Sequence, residues 1–134
     1  MTGWARLLQG EFVSGEASLE EFLQWVDRYI IHEGLRPHIV CEDFIYTSQT
    51  AKKSRQTWST EGIGVLRFIA REYDCGFTLQ APSDAKAFAS NNKLKLMGWY
   101  NTGKGHANDA ARHMLVYTVK NGIVDPRKLL QSGS

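Results

Sequence analysis

Three residues of this chain have types and spacing suited to holding a divalent cation. His106 and Asp109 stand three apart where a helix is expected to begin, and Glu42 lies in Ile39-Val40-Cys41-Glu42-Asp43-Phe44-Ile45, a run that reads as a strand. Positions i and i+3 of a helix share a face, so the imidazole and the carboxylate can address one ion. Carboxylate oxygens are hard ligands that match Mg²⁺ or Mn²⁺. Two such ions roughly 3.5–4 Å apart generate a nucleophilic water and offset charge on the attacking and leaving oxygens of a phosphodiester. The chemistry implied is that of a metal-dependent nuclease. Glu42 and Asp109 are the expected ligands, and His106 either binds metal through a ring nitrogen or orients the attacking water.

Each of these residues has a structural alternative. Taken alone, Asp109 serves equally well as a first-turn carboxylate complementing the helix dipole, worth about 0.3–1 kcal/mol. A carboxylate on a buried strand needs a partner, which weights Glu42 towards function. His106 by itself fits a helix start or loop, and His113, one turn beyond Asp109, fits a structural role. Asp43 alternates away from Glu42 and fits a salt bridge or an outer hydrogen bond to the site. Trp99 and Tyr100 have the chemistry to stack on bases, but packing a loop against the core is the expected use.

The elements that must position these groups follow from periodicity. Thr2 to Leu8 and Glu11 to Glu16 read as strands joined at Gln9-Gly10. Ser18-Leu19-Glu20-Glu21 is a capping box, and Leu19, Phe22, Leu23, Val26, Tyr29 and Ile30 recur at helical spacing up to Gly34, which predicts an amphipathic helix over 18–33. After Pro37, a nearly continuous apolar run to Tyr46 predicts a strand covered on both faces. A polar, basic stretch with Lys52, Lys53 and Arg55 leads into a helix from about Gln56 to Asp74, where Gly62 and Gly64 permit close packing within the domain or across a dimer. Cys75 to Leu79 reads as a strand, Ser83 caps a short helix through Phe88, and Asn91 to Gly105 reads as a packed loop region. The last helix is expected over about Ala107 to Asn121, stopping at Gly122.

The 134 residues, 43% of them hydrophobic and 22% charged, are enough for one domain with its own core, expected to span 1–134. No apolar run approaches the roughly 20 residues of a membrane helix, and no basic-then-apolar leader opens the chain, so a cytoplasmic protein is expected. Cys41 and Cys75 lack Cys-x-x-Cys partners and are expected as buried reduced thiols. The net charge of +2 is unevenly distributed: residues 1–48 carry three Lys/Arg against eight Asp/Glu, and residues 49–120 carry eleven against five. One basic face, the footprint of polyanion binding, and an ordinary solvated surface account for this asymmetry equally well.

In the order of its elements, with an acidic residue on a buried strand and another at a late helix start, the chain resembles the RuvC-type Holliday junction resolvases, particularly their phage-encoded branch, within the ribonuclease H-like superfamily. In that family a glutamate ends a core strand, which Ile39-Val40-Cys41-Glu42-Asp43 matches. A His/Asp-x-x-Asp motif followed by small residues opens the final helix, which His106-Ala107-Asn108-Asp109-Ala110-Ala111 matches. Ala81-Pro82-Ser83-Asp84-Ala85-Lys86 more weakly resembles the segment whose lysine approaches the scissile phosphate. The resemblance covers nearly the whole chain. It implies an α/β fold with a ribonuclease H-like mixed sheet flanked by helices, and two Mg²⁺ or Mn²⁺ ions at Glu42, His106 and Asp109. It further implies Lys86 as a phosphate contact and structure-selective cleavage of branched DNA by a homodimer, in host cytoplasm if phage-encoded.

Family members begin with a strand ending in Asp-x-Gly, and the next strand often begins Thr-Gly-Trp-Ala; this chain starts Met1-Thr2-Gly3-Trp4-Ala5. The N-terminal strand and its catalytic aspartate are therefore expected upstream of Met1, or else lost in a repurposed version. DNA contacts are expected from Lys52, Lys53 and Arg55, with Lys86, Lys93 and Lys95. Two other functions stay open: a noncatalytic DNA-binding or assembly module with a degraded metal site, and a ribonuclease H-like enzyme acting on other nucleic acids.

Overall fold

Thr2–Leu8 (β1) and Glu11–Ala17 (β2) form the expected hairpin, antiparallel in register from Thr2 opposite Ala17 to Leu8 opposite Glu11. Gly10 supplies the turn with φ +82°, a conformation open to glycine at no steric cost. The computed structural model describes residues 2–8, 10–42, 56–125 and 127. It shows a mixed α/β chain divided into two compact units, Met1–Glu20 with Pro82–Ser134, and Glu21–Ala81.

In the first unit three helices follow on the hairpin: Pro82–Phe88 (α3), Asn91–Met97 (α4) and Gly105–Lys120 (α5). Pro82 opens α3, where a missing N–H costs nothing and a fixed φ is already helical. Within the stretch expected as a packed loop, residues 91–97 are helical. Ser90 accepts the Lys93 N–H at 3.2 Å, and Gly98 at φ +73° ends the turn, with the Trp99 N–H returning to the Leu94 carbonyl at 2.8 Å. Seven residues carry too little periodicity to stand out, but this cap pair frames them. Leu94 and Leu115 are fully buried with Ala89, Trp99 and Ala111, and the Phe12 ring stacks on Trp99 at 4.4 Å. Trp99 is thus a core residue, as expected. Ala107 and Ala111, both fully buried, let α5 lie close against β1.

The second unit contains most of Leu19–Val26 (α1), then Ile39–Glu42 (β3), Gln56–Glu72 (α2) and Phe77–Gln80 (β4). The expected single helix over 18–33 is α-helical only to Val26. It continues as a wider π-helical turn over Asp27–His32, with the Glu33 N–H returning five residues to the Arg28 carbonyl at 2.9 Å. β3 and β4 are parallel, from Ile39 opposite Phe77 to Glu42 opposite Gln80, and α2 lies between them in sequence, as a crossover requires. Val26, Ile30 and Leu66 form the core, with Ile39, Cys41 and Phe77 packed against it.

The four described strands thus make two separate two-stranded sheets, β1 with β2 and β3 with β4. Both cysteines are free thiols. Burial pushes the Cys41 thiol up to about 11 against the opposing pull of the Arg67 guanidinium. No helix among the described residues is long and apolar enough to cross a membrane.

Candidate functional site

The start of α5 is held by the hairpin. Gly3 and Glu16 are register partners, and each contributes to the docking. A β-carbon on Gly3 would overlap the carbonyl group of His106, so only glycine lets the helix backbone approach β1 this closely. The Glu16 carboxylate accepts the His106 N–H at 3.2 Å. The residue preceding the helix, Lys104, makes no side-chain cap, so Glu16 satisfies one of the orphan donors of the first turn and places negative charge at the positive helix end.

A further clamp fixes the approach to α5. Asn108 is buried, accepts the Asn101 N–H at 2.8 Å through Oδ1, and donates through Nδ2 to the Asn101 carbonyl at 2.9 Å. Both ends of the Asn108 amide are thereby used, which ties the loop after α4 to the first turns of α5. His113 is buried further along α5, in keeping with a structural role.

Asp109 is held by a third set of contacts. Its Oδ1 accepts from Arg112 Nη1 at 3.2 Å, and Arg112 Nη2 donates to Asn91 Oδ1 at the start of α4. The Arg112 side chain is only 16% exposed, whereas that of Asp109 is 49% exposed. A mostly covered arginine side chain thus stands beside a half-open carboxylate. It opens onto a cleft of about 460 Å³ lined by Lys86, Ser90, Asn91, Asn92, Asp109 and Arg112. A second cleft of about 440 Å³ shares Asn91, Asp109 and Arg112 and adds Tyr100, Lys104 and Asn108.

Two of the motif residues, Lys86 and Asp109, are brought together in one cleft although 23 positions separate them. His106 is exposed, with its backbone facing Gly3 and Glu16, and it lines neither cleft. Glu42 is placed by its backbone as the last residue of β3, at the carboxyl end of a parallel strand pair, where ligands of open α/β sheets are usually met. Lys52, Lys53 and Arg55 lie outside the described residues.

The remaining expected cations have other uses. Lys93 donates through Nζ to the Phe88 carbonyl at 2.6 Å and sits 4.5 Å over the Phe88 ring, so it caps the end of α3. Lys95 holds its ammonium 4.9 Å over the Tyr100 ring. Arg112, Asn91, Lys104 and Glu16 are the site residues that sequence reading missed. For Arg112 a signal was present, since it stands three residues after Asp109, at the spacing of a helical ion pair. Asn91 is brought in by tertiary packing alone.

Comparison with protein-family models, with characterised proteins and with solved structures gives no match to this chain.

Proposed function

We propose that this chain is a metal-dependent, structure-selective DNA endonuclease of the ribonuclease H-like, RuvC-resolving type, acting on Holliday junctions or other branched DNA. The observation that carries the reading is the shared cleft of Lys86 and Asp109: a half-exposed carboxylate and an exposed lysine line one open cleft, with the Arg112 side chain behind the carboxylate. In the cleft Asp109 would be a metal-ligating carboxylate and Lys86 would stabilise charge on the phosphate; Glu42 as a second carboxylate ligand and His106 as a nitrogen ligand or water-orienting group are proposed on the family resemblance alone. A pair of Mg²⁺ or Mn²⁺ ions held by these residues would supply an activated water and offset charge on the leaving oxygen. Arg112 keeps the Asp109 carboxylate in a fixed orientation, the kind of outer hydrogen bond that tunes a metal ligand. The test is cleavage of a labelled four-way junction that requires Mg²⁺ or Mn²⁺ and stops in EDTA.

A second reading has a specific observation in its favour. The Arg112–Asp109 ion pair already compensates the carboxylate that a cation would occupy. A noncatalytic DNA-binding module with a cationic cleft would keep that pair permanently; in it, junction DNA binds but no metal promotes cutting.

The active form is proposed as a homodimer, with an exposed face of α2, on the side of Gly64 and not of Gly62, available for it. Gly62 and Leu66 are buried, and Leu66 belongs to the unit's own core with Val26 and Ile30, packed by Ile69. Gly64, Val65 and Phe68 are exposed, the last two at 40% and 57%, and they recur at helical spacing. If this face is the dimer contact, Phe68→Glu yields monomers in sedimentation velocity at micromolar concentration and an unchanged melting temperature. A parent chain that is itself monomeric there removes α2 as an interface.

A further inference from the structure

We infer that the two clefts meeting at Arg112 form one continuous trough that binds successive phosphodiesters of a single nucleic-acid strand, with Lys86 and Lys104 as its outer contacts and Arg112 as its central anchor. The inference takes its ligand class from the endonuclease reading and assigns to that site residues the sequence motifs do not include.

The two clefts adjoin, since Asn91, Asp109 and Arg112 line both. Each cleft, at about 460 and 440 Å³, falls in the range of roughly 300–1,000 Å³ typical of sites for small organic ligands, so the pair accommodates more than one nucleotide unit. The lining carries cations in both clefts and is mixed polar and apolar, with Ala89 in the first. Lys86 stands in the first cleft and Lys104 in the second, both exposed, and Arg112 stands between them. Against these three cations, Asp109 is the one carboxylate among the described lining residues, and it is already paired with Arg112. A guanidinium held in place by Asp109 and Asn91 has lost its rotamer freedom before any ligand arrives, and its planar fork suits phosphate oxygens. Ser90, Asn92 and Asn108 add uncharged polar groups along the walls, which suits backbone tracking rather than base reading. A site for one phosphate would need a single cationic pocket, whereas these cations are distributed along two.

Binding of the full chain to a fluorescein-labelled twelve-residue oligothymidylate in EDTA, followed by anisotropy across a NaCl series, tests the trough without any dependence on metal. Lys86→Gln and Lys104→Gln are each expected to weaken binding several-fold at about 0.1 M salt. Each should also reduce the slope of log K against log salt by about 0.7, the single-strand value for one phosphate contact. Lys120→Gln removes the same charge at the other end of α5 and is expected to leave the slope as it is in the parent. Equal melting temperatures for the three variants exclude unfolding as the cause. A parent-like slope for Lys104→Gln, an equal loss for Lys120→Gln, or thymidine monophosphate competing as strongly as the oligonucleotide overturns the trough. Variant-sensitive binding without metal-dependent cleavage upholds the trough and overturns the endonuclease reading. Metal-dependent cleavage with parent-like binding by Lys86→Gln and Lys104→Gln does the reverse.

Discussion

Asp109→Asn and Glu42→Gln should each lower the rate of metal-dependent junction cleavage by on the order of 10²-fold or more, while junction binding in EDTA stays within about twofold of the parent. Outer-shell partners of metal ligands already cost 10–100-fold when removed, and loss of a ligating carboxylate removes both a charge and a coordination bond. The substitutions are nearly isosteric. Asp109→Asn keeps an amide oxygen where the carboxylate Oδ1 accepts from Arg112, so the local arrangement of α5 is retained. A fall in cleavage accompanied by an equal fall in melting temperature would point to folding instead, which is why both are measured. Two variants that still cut at near-parent rates would remove these carboxylates from the mechanism.

Gly3→Val should destabilise the chain by about 1–3 kcal/mol, as forced overpacking does, and reduce cleavage by more than the unfolded fraction explains. The new β-carbon meets main chain, the carbonyl of His106, and not the yielding tip of a side chain. Relief requires the first turn of α5 to move away from β1, which breaks the bond between the Glu16 carboxylate and the His106 N–H and shifts Asp109 one turn later. Against a total stability of roughly 5–15 kcal/mol the change is readily seen as a lower urea midpoint at constant slope. Gly105→Ala is the matched control. A β-carbon there meets nothing within 4 Å, and the exchange of glycine for alanine in a helix is neutral to favourable. Equal midpoints for Gly3→Val and the parent would show that the close approach of β1 and α5 does not position the site.

The elements legible in the sequence were those with strong local signals. The Gln9-Gly10 turn gave the β1–β2 hairpin and the capping box gave the start of α1; the short helix expected after Ser83 is α3, which opens earlier at Pro82, so Ser83 lies within its first turn and is not its cap. The helix expected from about Ala107 begins at Gly105, because Glu16, some 90 positions away, supplies the cap that Lys104 does not. Residues 91–97 were missed because the helix is only seven residues long and opens on Asn91 and Asn92, which favour turns, and the framing by Ser90 and Gly98 becomes persuasive only when the two are read as a pair. The π-helical turn after Val26 had no readable signature, since the apolar spacing of Val26 and Ile30 is that of an ordinary helix. For the candidate site, spacing pointed to Asp109 and the family resemblance to Lys86, which line one cleft. What a linear reading could not supply was Asn91, which packing carries to Arg112 from another helix, and the capture of Lys93 by Phe88, which takes a nominal DNA contact into the fold.

The most direct measurement of the central claim is a cleavage assay with the parent chain on a four-way junction, a forked duplex and a linear duplex of the same arm sequences, with and without Mg²⁺ or Mn²⁺. The account predicts paired nicks in the junction that appear only with the metal, and linear duplex left uncut. Junction binding without strand scission at any concentration of either ion would contradict it.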